Sequence, residues 1–401
     1  MNGPRQGDGI AEGSILALNA GSSSLKFALF AAPALRPLIR GEISELGSSP
    51  HLLAHDDAGG AVADRHWASH GEDTFADVLD AVLALVDVTA GHARLRAVGH
   101  RIVHGGADHI IPERVTPALL LALDALIPLD PIHMPHNIAP ILAVAKARPG
   151  IDQVACFDTA FHHTMPLVAQ RFALPRAISD AGVRRYGFHG LSYEYIARRV
   201  TIELPALAKG RVIVAHLGAG ASLCALDKGV SIANTFGISV LDGLVMATRC
   251  GSLDPGVILY LGRLGHSLPD IEDMLYNRSG LLGVSGISGD IRVLLASDLP
   301  QAQEAIELFT YRIALEVGAM TSALGGVDGI VFTAGIGQHA PKIRAAVCER
   351  LGWLGVQLDQ AANDKGAFQV STAGSKVDVR VIATDEEAMI AQHVLTTLRE
   401  R

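Results

Sequence analysis

The chain has 401 residues, of which 49% are hydrophobic and 18% are charged, and its formal net charge is −8 at pH 7. This composition is typical of a globular protein with room for two domains, each with its own core. The acidic balance argues against a nucleic-acid-binding protein, which would carry a basic excess, but it still allows a local basic pocket for a small anion.

The cysteines and the apolar segments indicate the compartment. Residues 1–13 are polar and Gly-rich, which predicts a loose tail and no signal peptide. The most apolar stretch, Leu119–Leu129, is too short to cross a bilayer. We expect a cytoplasmic protein with reduced, mostly buried thiols, because the cysteines form no C-x-x-C pair. The four cysteines are Cys156, Cys224, Cys250 and Cys348.

The first chemical signal lies in Ile15–Phe30, where two apolar runs flank a turn rich in Ser. Ile15–Leu18 and Leu25–Phe30 are predicted to be neighbouring strands. The turn offers amides and hydroxyls that can hydrogen-bond phosphate oxygens, and Lys26 would supply positive charge. The stretch does not end as a Walker A loop does, and an ordinary Ser-rich hairpin is the alternative interpretation.

The next segment contains a candidate substrate-binding arginine. Asp56–Gly60 indicates a turn between two weak strands, and Glu72–Val86 has the apolar stripe of an amphipathic helix. Arg94–Val103 is predicted to be a strand that ends before a Gly-Gly turn. Strand alternation places Arg101 and Val103 on one face and Ile102 on the other. A guanidinium beside an apolar side chain could bind a small carboxylate with an alkyl tail, although a solvent-exposed arginine is the commoner case.

A carboxylate and a histidine follow in the middle of the chain. Pro117–Ile127 and Asn137–Lys146 are predicted helices. Ile151–Phe157 is a predicted strand that places Asp158 at its C-terminal end, where ligand groups gather in α/β folds. A helix-capping aspartate is the alternative. Glycines on both sides of Phe188-His189 would allow a close approach to a ligand, although a core histidine remains possible.

Two later segments repeat the layout of a strand followed by a turn of small residues. The strand Val212–Ala215 precedes His216–Ser222, and the strand Gly329–Phe332 precedes Thr333–Gly337, which leads into a predicted helix at Pro341–Leu351. One Gly-x-Gly turn is a weak signal, but three such turns in one chain indicate two related halves that close over a nucleotide.

The C-terminal segment provides a candidate metal ligand. Gln303–Leu324 is a predicted long helix and Val377–Ala383 a predicted strand. Thr384 and Glu387 have the spacing of a capping box at the start of the last helix. The capping box would occupy Glu387 and leave Glu386 free to face a metal or its waters, whereas a solvated glutamate is the alternative.

Together these motifs resemble those of the acetokinase family, within the sugar kinase/actin/heat-shock chaperone superfamily. The matching stretches follow the family order: Asn19–Phe27, Gly99–Gly106, Phe157–His162 with Met165-Pro166, Tyr186–Gly190, His216–Gly220, Met246 with Thr248–Pro255, Val331–Gly337 and Thr384–Glu387. The resemblance implies an α/β fold of two ribonuclease-H-like domains with an active cleft between them. The first would comprise residues 1–158 and 386–401, and the second, nucleotide-binding domain residues 159–385. It also implies a homodimer.

The reaction that the resemblance implies is direct, in-line and reversible phosphoryl transfer from ATP to acetate, which yields ADP and acetyl phosphate. Such a transfer needs positioning and charge stabilisation more than covalent chemistry. By the resemblance, Arg101 and Arg249 would bind the carboxylate and the moving phosphoryl group, and His189 would hydrogen-bond a phosphoryl oxygen. Asp158 would orient the arginines or the substrate.

The resemblance also implies the pocket for the acyl chain and the site for the metal. Val103, Ile132 and Phe188 would line the pocket for the methyl group. Asn19 and Glu386 would hold Mg²⁺, or Mn²⁺ in its place, largely through water molecules.

The nucleotide side departs from the family at several positions. The family motif H-L-G-N-G-S-S has Ala219 and Ala221 in this chain, the G-I-G-E-N turn ends in Gln338-His339, and D-F-R has Ile291 in the middle. The residues that would bind the nucleotide are Lys26, His216, Leu217, Gly218, Ala219, Gly220, Asp290, Ile291, Arg292, Gly335, Ile336, Gly337, Gln338 and His339.

Other functions fit the same motifs. Propionate or another short-chain acid could be the acceptor, since one methylene group is worth only ~1–3 kcal/mol of discrimination. The altered phosphate loop suggests a non-catalytic nucleotide-binding protein as a second hypothesis. A sugar kinase is a third, which the two arginines and the His189 loop argue against.

Overall fold

The structure, a computed structural model, describes residues 13–21, 24–67, 74–91 and 94–399. The chain divides into two compact units. Unit 1 comprises Met1–Ala160 and Asp385–Arg401, and unit 2 comprises Phe161–Thr384. Parts of three predicted elements lie outside the described residues: the tail except for Gly13, residues 22–23 of the first turn, and the start of the helix predicted at Glu72.

The strands in chain order are β1 (Gly13–Ala20), β2 (Leu25–Ala32), β3 (Arg36–Ser44), β4 (His51–Asp56), β5 (Ala61–His66), β6 (Leu95–Ile102), β7 (Glu113–Arg114), β8 (Asp152–Phe157), β9 (Arg211–Leu217), β10 (Ala221–Asp227), β11 (Val230–Asn234), β12 (Gly329–Thr333) and β13 (Asp378–Val381).

The α-helices are α1 (Thr74–Ala90), α2 (Pro117–Ala125), α3 (Met134–Ala147), α4 (Leu167–Gln170), α5 (Arg176–Asp180), α6 (Gly190–Glu203), α7 (Pro255–Arg263), α8 (Leu268–Asn277), α9 (Gly280–Ser285), α10 (Ile291–Leu295), α11 (Pro300–Leu324), α12 (Ala334–His339), α13 (Pro341–Arg350), α14 (Gln360–Asp364) and α15 (Glu386–Arg399). Short 3-10 helices span Ile127–Leu129, Ala160–Thr164, Leu207–Lys209 and Gly352–Leu354.

The sheet of unit 1 has the order β5-β4-β3-β2-β1-β6-β8-β7. The strands from β5 to β1 form an antiparallel meander, and β6 and β8 then add in parallel to β1. The predicted first hairpin is confirmed, since β1 and β2 pair from Gly13 opposite Ala32 to Ala20 opposite Leu25. Its turn carries no apolar residue, and the two strands are almost wholly buried.

Unit 2 repeats the arrangement of the inner five strands of unit 1. Its sheet has the order β11-β10-β9-β12-β13, with an antiparallel meander followed by two parallel strands. This order and these directions match β3-β2-β1-β6-β8. The expectation of two related halves with one α/β topology is confirmed.

Successive side chains of a strand point to opposite faces of the sheet, and these strands carry apolar side chains on both faces. Helices therefore cover both faces of the sheets. In unit 1, α1 lays Val78, Leu79, Val82 and Leu83 against β1, β2 and β3 on one face. On the other face α15 packs on β1 and β6. In unit 2, α6 contributes Tyr193 and neighbouring residues to a core with β9 and β10.

The structure corrects the predictions for the segments that begin at Asn137 and at Thr333. The helix expected at Asn137 begins at Met134, because Pro135 lies in the first turn, where its missing N–H costs nothing. Thr333–Gly337, predicted to be a glycine turn, instead opens α12. The chain changes direction between β12 and α12 at Ala334, which has a φ of 63°. Neither Gly335 nor Gly337 has a positive φ.

The four cysteines are free, and Cys156, Cys224 and Cys348 are buried. Burial raises the pKa of the Cys224 and Cys348 thiols to about 12, which keeps both protonated and unreactive at neutral pH. In the part of the chain that the structure covers, no helix is long and apolar enough to cross a bilayer.

The packing of α15 on β6 leads to a test of stability. A Cβ added at Gly99 would lie 2.4 Å from Ile390 Cγ2 and 2.6 Å from Val394 Cγ2. We expect Gly99→Ala to lower the free energy of unfolding by about 1–3 kcal/mol through overpacking, measured by urea denaturation. Gly318→Ala is the matched control, because its Cβ would meet only Trp353 at 3.8 Å. Equal stability of the two variants would contradict this account.

Candidate active site

The first group of predicted site residues lies at the carboxyl ends of three adjacent strands of unit 1. Leu18 of β1 is opposite His100 of β6, so Asn19 lies beside Arg101. Arg101 is opposite Cys156 of β8, and Asp158 follows two residues later on the same face. Parallel neighbours end at one edge of the sheet, and the topology therefore brings these side chains together.

Arg101 is held by its hydrogen bonds to Asp158. Asp158 Oδ2 accepts from Arg101 Nε at 2.8 Å and from Nη2 at 2.5 Å, and Asn19 Oδ1 accepts from Nη1 at 3.3 Å. The Asp158 side chain has no exposed surface, whereas 17% of the Arg101 side chain is exposed. Burial alone would lower the pKa of Arg101, but Asp158, Glu386 and Glu387 raise it above its usual value. Arg101 is therefore a fixed, fully charged group on a side chain that is partly exposed.

The start of α15 brings two carboxylates to the same place. Asn19 Nδ2 donates to Glu386 Oε2 at 2.8 Å and to Glu387 Oε1 at 3.0 Å. The predicted capping box is wrong. Asp385 caps α15 by accepting from the Ala388 N–H at 2.9 Å, and the Thr384 hydroxyl has no hydrogen-bond partner among the described residues. The Glu387 side chain therefore does not cap the helix and instead accepts the hydrogen bond from Asn19.

We call Asn19, Arg101, Asp158, Glu386 and Glu387 the arginine–carboxylate cluster. Burial, followed by repulsion from Glu386, raises the pKa of Glu387. Carboxylate oxygens are ligands that Mg²⁺ prefers, and a cation would relieve this repulsion. Glu386 and Glu387 therefore fit a hard divalent cation, whereas Asn19 directs its Nδ2 to these carboxylates and its Oδ1 to Arg101, which suits a role that positions them or contacts a water molecule of the ion.

Asn137 joins the ends of β1 and β6 next to this cluster. Its Oδ1 accepts from the Val103 N–H at 2.7 Å, and its Nδ2 donates to the Ala20 carbonyl at 2.8 Å. Of the predicted pocket residues in unit 1, Val103 is buried and Ile132 is half-buried. Lys26, predicted to bind nucleotide, is exposed on β2 opposite Asn19.

The second group of predicted site residues lies in unit 2 around His189, which begins α6 with left-handed backbone angles (φ 58°, ψ 27°). Its Nδ1 is hydrogen-bonded to Ser222 Oγ at 2.8 Å, and Ser222 Oγ is in turn bonded to the Tyr193 hydroxyl at 2.5 Å. His162 Nε2 donates to the carbonyl of Phe188 at 3.0 Å and fixes the preceding peptide. Phe188 itself is wholly buried against Phe236.

His216 supports His189 from the end of β9. The two imidazole rings stack with centroids 4.0 Å apart and planes 22° from parallel, and His216 Nδ1 is hydrogen-bonded to Ser192 Oγ at 2.8 Å. The loop after His216 is held by its backbone: Gly218 N–H donates to the Gly220 carbonyl at 3.0 Å. We call His189, Tyr193, His216, Ser222 and Arg249 the histidine cluster.

Gly220 lies between the two groups predicted to contact the phosphoryl. A Cβ at this position would lie 3.3 Å from His189 Nε2 and 3.9 Å from Arg249 Nη1. The glycine therefore leaves open the space that both groups face. Gly280 packs closely against the backbone of Arg249. A Cβ at Gly280 would lie 2.2 Å from the Met246 carbonyl oxygen and 2.9 Å from the backbone nitrogen of Arg249.

The remaining predicted nucleotide-binding residues lie on α12 and at the start of α10. Arg344 is wholly buried and donates from Nη1 to the carbonyls of Gly337 and Gln338 at 2.8 and 2.7 Å, which fixes the end of α12. Asp290 caps α10 through the Arg292 N–H at 2.8 Å and forms an ion pair with the exposed Arg292 side chain at 2.6 Å.

Sequence reasoning missed several residues that build these clusters. They are Tyr193, Ser222, Glu387, Asn137, Gly280 and Arg344. Only Ser222 and Glu387 lay inside stretches singled out as motifs, and Glu387 was assigned to the wrong partner. The others act through contacts with residues that are distant in sequence, and no local pattern marks them.

Comparison with known proteins gives a consistent result. The family model described as Acetokinase family matches residues 14–392. An acetate kinase of Rhodopseudomonas palustris (strain TIE-1) is 53% identical over 95% of this chain and 97% of its own length. An acetate kinase of Methylocella silvestris is 48% identical over 96% and 98%.

Solved structures agree with the fold. A propionate kinase of Francisella tularensis has a TM-score of 0.88 at 34% identity, covering 95% of this chain and 98% of that one. The acetate kinase of Porphyromonas gingivalis has a TM-score of 0.84 at 36% identity, covering 96% and 100%.

The raised pKa of Glu387 leads to a prediction about stability. Because the pKa is higher in the folded protein than in the unfolded chain, the folded state binds more protons between the two pKa values, and this group lowers wild-type stability as the pH rises above the ordinary glutamate pKa. We expect Glu387→Gln to be more stable than the wild type at pH 7.5 without divalent cations. The gain should vanish near pH 4, where the carboxyl is protonated in both states.

Thermal unfolding from about pH 4 to 7.5 measures the difference. Glu349→Gln, on the exposed surface of α13, makes the same charge change and should show no such pH dependence. A Glu387→Gln variant no more stable than the wild type at pH 7.5 would show that burial and repulsion from Glu386 do not destabilise the Glu387 carboxylate.

Proposed function

This chain belongs to the acetokinase family, and we propose that it catalyses the reversible transfer of the γ-phosphoryl group of ATP to acetate, which gives ADP and acetyl phosphate. The observation that carries this proposal is the fixed guanidinium of Arg101. Its Nε and one Nη are occupied by a buried carboxylate, and a further N–H by Asn19. A guanidinium has five N–H donors, so others remain for the carboxylate of the substrate.

The chemical step needs no general base. Acetate is already ionised at neutral pH, and its oxygen attacks the γ-phosphorus directly. One oxygen–phosphorus bond forms while the bond to the β-phosphate oxygen breaks, and the electron pair leaves with ADP. The protein's task is therefore to align the reactants and to stabilise charge on the three equatorial oxygens. Arg101 serves the first purpose, and Asp158 acts as a positioning residue behind it.

The histidine cluster suits the second purpose. His189 Nε2 and Arg249 Nη1 both face the space left open at Gly220. The bond from Nδ1 to Ser222 fixes the imidazole plane, so that Nε2 needs little reorganisation to hydrogen-bond a phosphoryl oxygen. The backbone amides of His216–Gly220 would bind the phosphates, and α12 and α10 the adenosine.

A divalent cation would lie at Glu386 and Glu387, with Asn19 beside them, since two neighbouring carboxylates fit Mg²⁺ better than a softer metal. When bound, the ion neutralises negative charge on the phosphates of ATP. The carboxylates would hold water molecules of the ion, and Asn19 links the carboxylates to the Arg101 guanidinium.

Propionate is the second candidate acceptor. The propionate kinase with a TM-score of 0.88 shows that this fold is found with that specificity, and one methylene group changes binding by only ~1–3 kcal/mol. The side chains of Val103, Ile132 and Phe188 would line the acyl pocket. We place the protein in the cytoplasm, where its free cysteines would stay reduced.

The decisive measurement is hydroxamate formation from MgATP, hydroxylamine and acetate, with propionate and butyrate in parallel. We expect acetyl hydroxamate from the wild type. Arg101→Lys and Arg249→Lys should each lower kcat by about 10²–10³, because lysine keeps the charge but loses the planar set of donors.

Arg65→Lys is the matched control, since this guanidinium stacks on Trp67 at 4.5 Å and belongs to neither cluster. Its activity should remain close to that of the wild type. Wild-type protein that binds MgATP but forms no hydroxamate from any of the three acids would refute the proposal and favour a non-catalytic role.

We also propose a homodimer, supported by an apolar surface on α7, the loop after it and the start of α8. Four side chains there are more than half exposed: Leu259, Tyr260, Leu264 and Leu268. Clustered apolar surface of this kind marks protein–protein contacts.

The proposed dimer is tested by light scattering after gel filtration. The wild type should elute as a dimer, and Leu259→Arg as a monomer, because a desolvated guanidinium without a partner is costly in an interface. Val88→Arg, at an 81% exposed position on α1, should remain dimeric. A dimeric Leu259→Arg variant would place the contact elsewhere.

A further inference from the structure

The hairpin formed by β4 and β5 carries two histidines and an aspartate on one face. It forms the edge of the unit 1 sheet, with β5 outermost. His51 is directly opposite His66, and Asp64 precedes His66 by two residues. Residues directly opposite each other, and residues two apart on one strand, share a face of the sheet. The three side chains therefore project to the same side.

Their donor atoms already converge. His51 Nε2 lies 2.7 Å from Asp64 Oδ1, and His66 Nε2 lies 4.0 Å from the same oxygen. All three ligand atoms lie within 4.8 Å of one another. Tetrahedral ligands at ~2.0–2.1 Å from one zinc ion are separated by about 3.3 Å, so the observed spacings bracket those that a metal would impose.

We propose that His51, Asp64 and His66 bind one divalent transition-metal ion of the Zn²⁺ class, with water as a further ligand. Two imidazole nitrogens and one carboxylate oxygen are a donor set for such ions, whereas Mg²⁺ and Ca²⁺ prefer oxygen ligands alone. The site is distinct from the arginine–carboxylate cluster, which offers no imidazole.

Binding needs only small side-chain movements. The two imidazole rings stack with centroids 3.8 Å apart and planes 7° from parallel. The stack places the two rings side by side on this face of the hairpin, and rotation of their side chains would direct one nitrogen of each ring to the ion. The exposed fractions of the Asp64 and His66 side chains, 63% and 72%, leave room for this rotation and for entry of the ion.

The surrounding charges permit a cation. The nearest cation in sequence, Arg65, pairs with Leu52 on the opposite face and stacks on Trp67, away from the three ligands. Ser44 is the residue opposite His51 on β3. The ion would take the place of the proton that His51 now shares with Asp64, so binding releases a proton.

Calorimetric titration of the full-length, chelator-treated protein with ZnCl₂ tests the proposal. Saturating MgCl₂ in the cell occupies oxygen sites such as the arginine–carboxylate cluster. We expect one Zn²⁺ per chain, and at least ~10-fold weaker binding for His66→Ala and for Asp64→Asn. Both positions are on the exposed face of an edge strand, and circular dichroism confirms that the variants fold.

The matched control is His55→Ala, on β4 but outside the three ligands, which should bind Zn²⁺ as the wild type does. Co²⁺ provides a second readout, since its visible absorption should acquire a band in the wild type and in His55→Ala but not in His66→Ala. The proposal is overturned if the wild type binds no Zn²⁺, or if His66→Ala and Asp64→Asn bind it unchanged.

Discussion

The ion pair between Arg101 and Asp158 is the interaction on which the geometry of the arginine–carboxylate cluster depends. Removing one partner of a buried pair costs about 3–5 kcal/mol, because the remaining charge stays in a poorly solvated place. The pair forms because β6 and β8 are adjacent and parallel, so that their C-terminal residues lie side by side at the same edge of the sheet. The same register places Asn19 beside the guanidinium. Strand order, more than any local motif, thus determines the direction in which Arg101 presents its remaining donors.

Unit 2 repeats the order of five of these strands but positions the proposed catalytic residue His189 by another means. His189 is not on a strand; it begins α6 with left-handed backbone angles, which cost a non-glycine residue about 1–2 kcal/mol. The bond from Nδ1 to Ser222 and the stacking on His216 offset that cost. His216 lies on β9 and Ser222 on β10. The sheet therefore still fixes the imidazole of His189, but through side chains of these two strands.

Residues whose role follows from a local pattern could be predicted, and those that depend on distant partners could not. The β1–β2 hairpin and the site strands followed from apolar runs, and Arg101, Asp158 and His189 were singled out from strand ends and glycines. Glu387 was misassigned because a capping-box spacing cannot show that Asp385 takes the helix end. The role of Arg344 could not be predicted, since an arginine in a polar helix gives no sign that it will be buried against α12.

The departures of the phosphate loop from the family motif can be judged from the same contacts. Ala219 replaces an asparagine, yet its carbonyl still accepts from the Ala247 N–H at 3.1 Å, and Gly218 and Gly220 close the turn through their backbone. Backbone hydrogen bonds therefore hold this loop, although the side chains that the family motif has at positions 219 and 221 are missing. Each missing hydrogen bond to a phosphate is worth about 0.5–1.5 kcal/mol, more if it is charge-assisted. Under the proposed function this loss would weaken binding of the nucleotide, whereas His189 and Arg249, which would stabilise the transferring phosphoryl group, are both present in this chain.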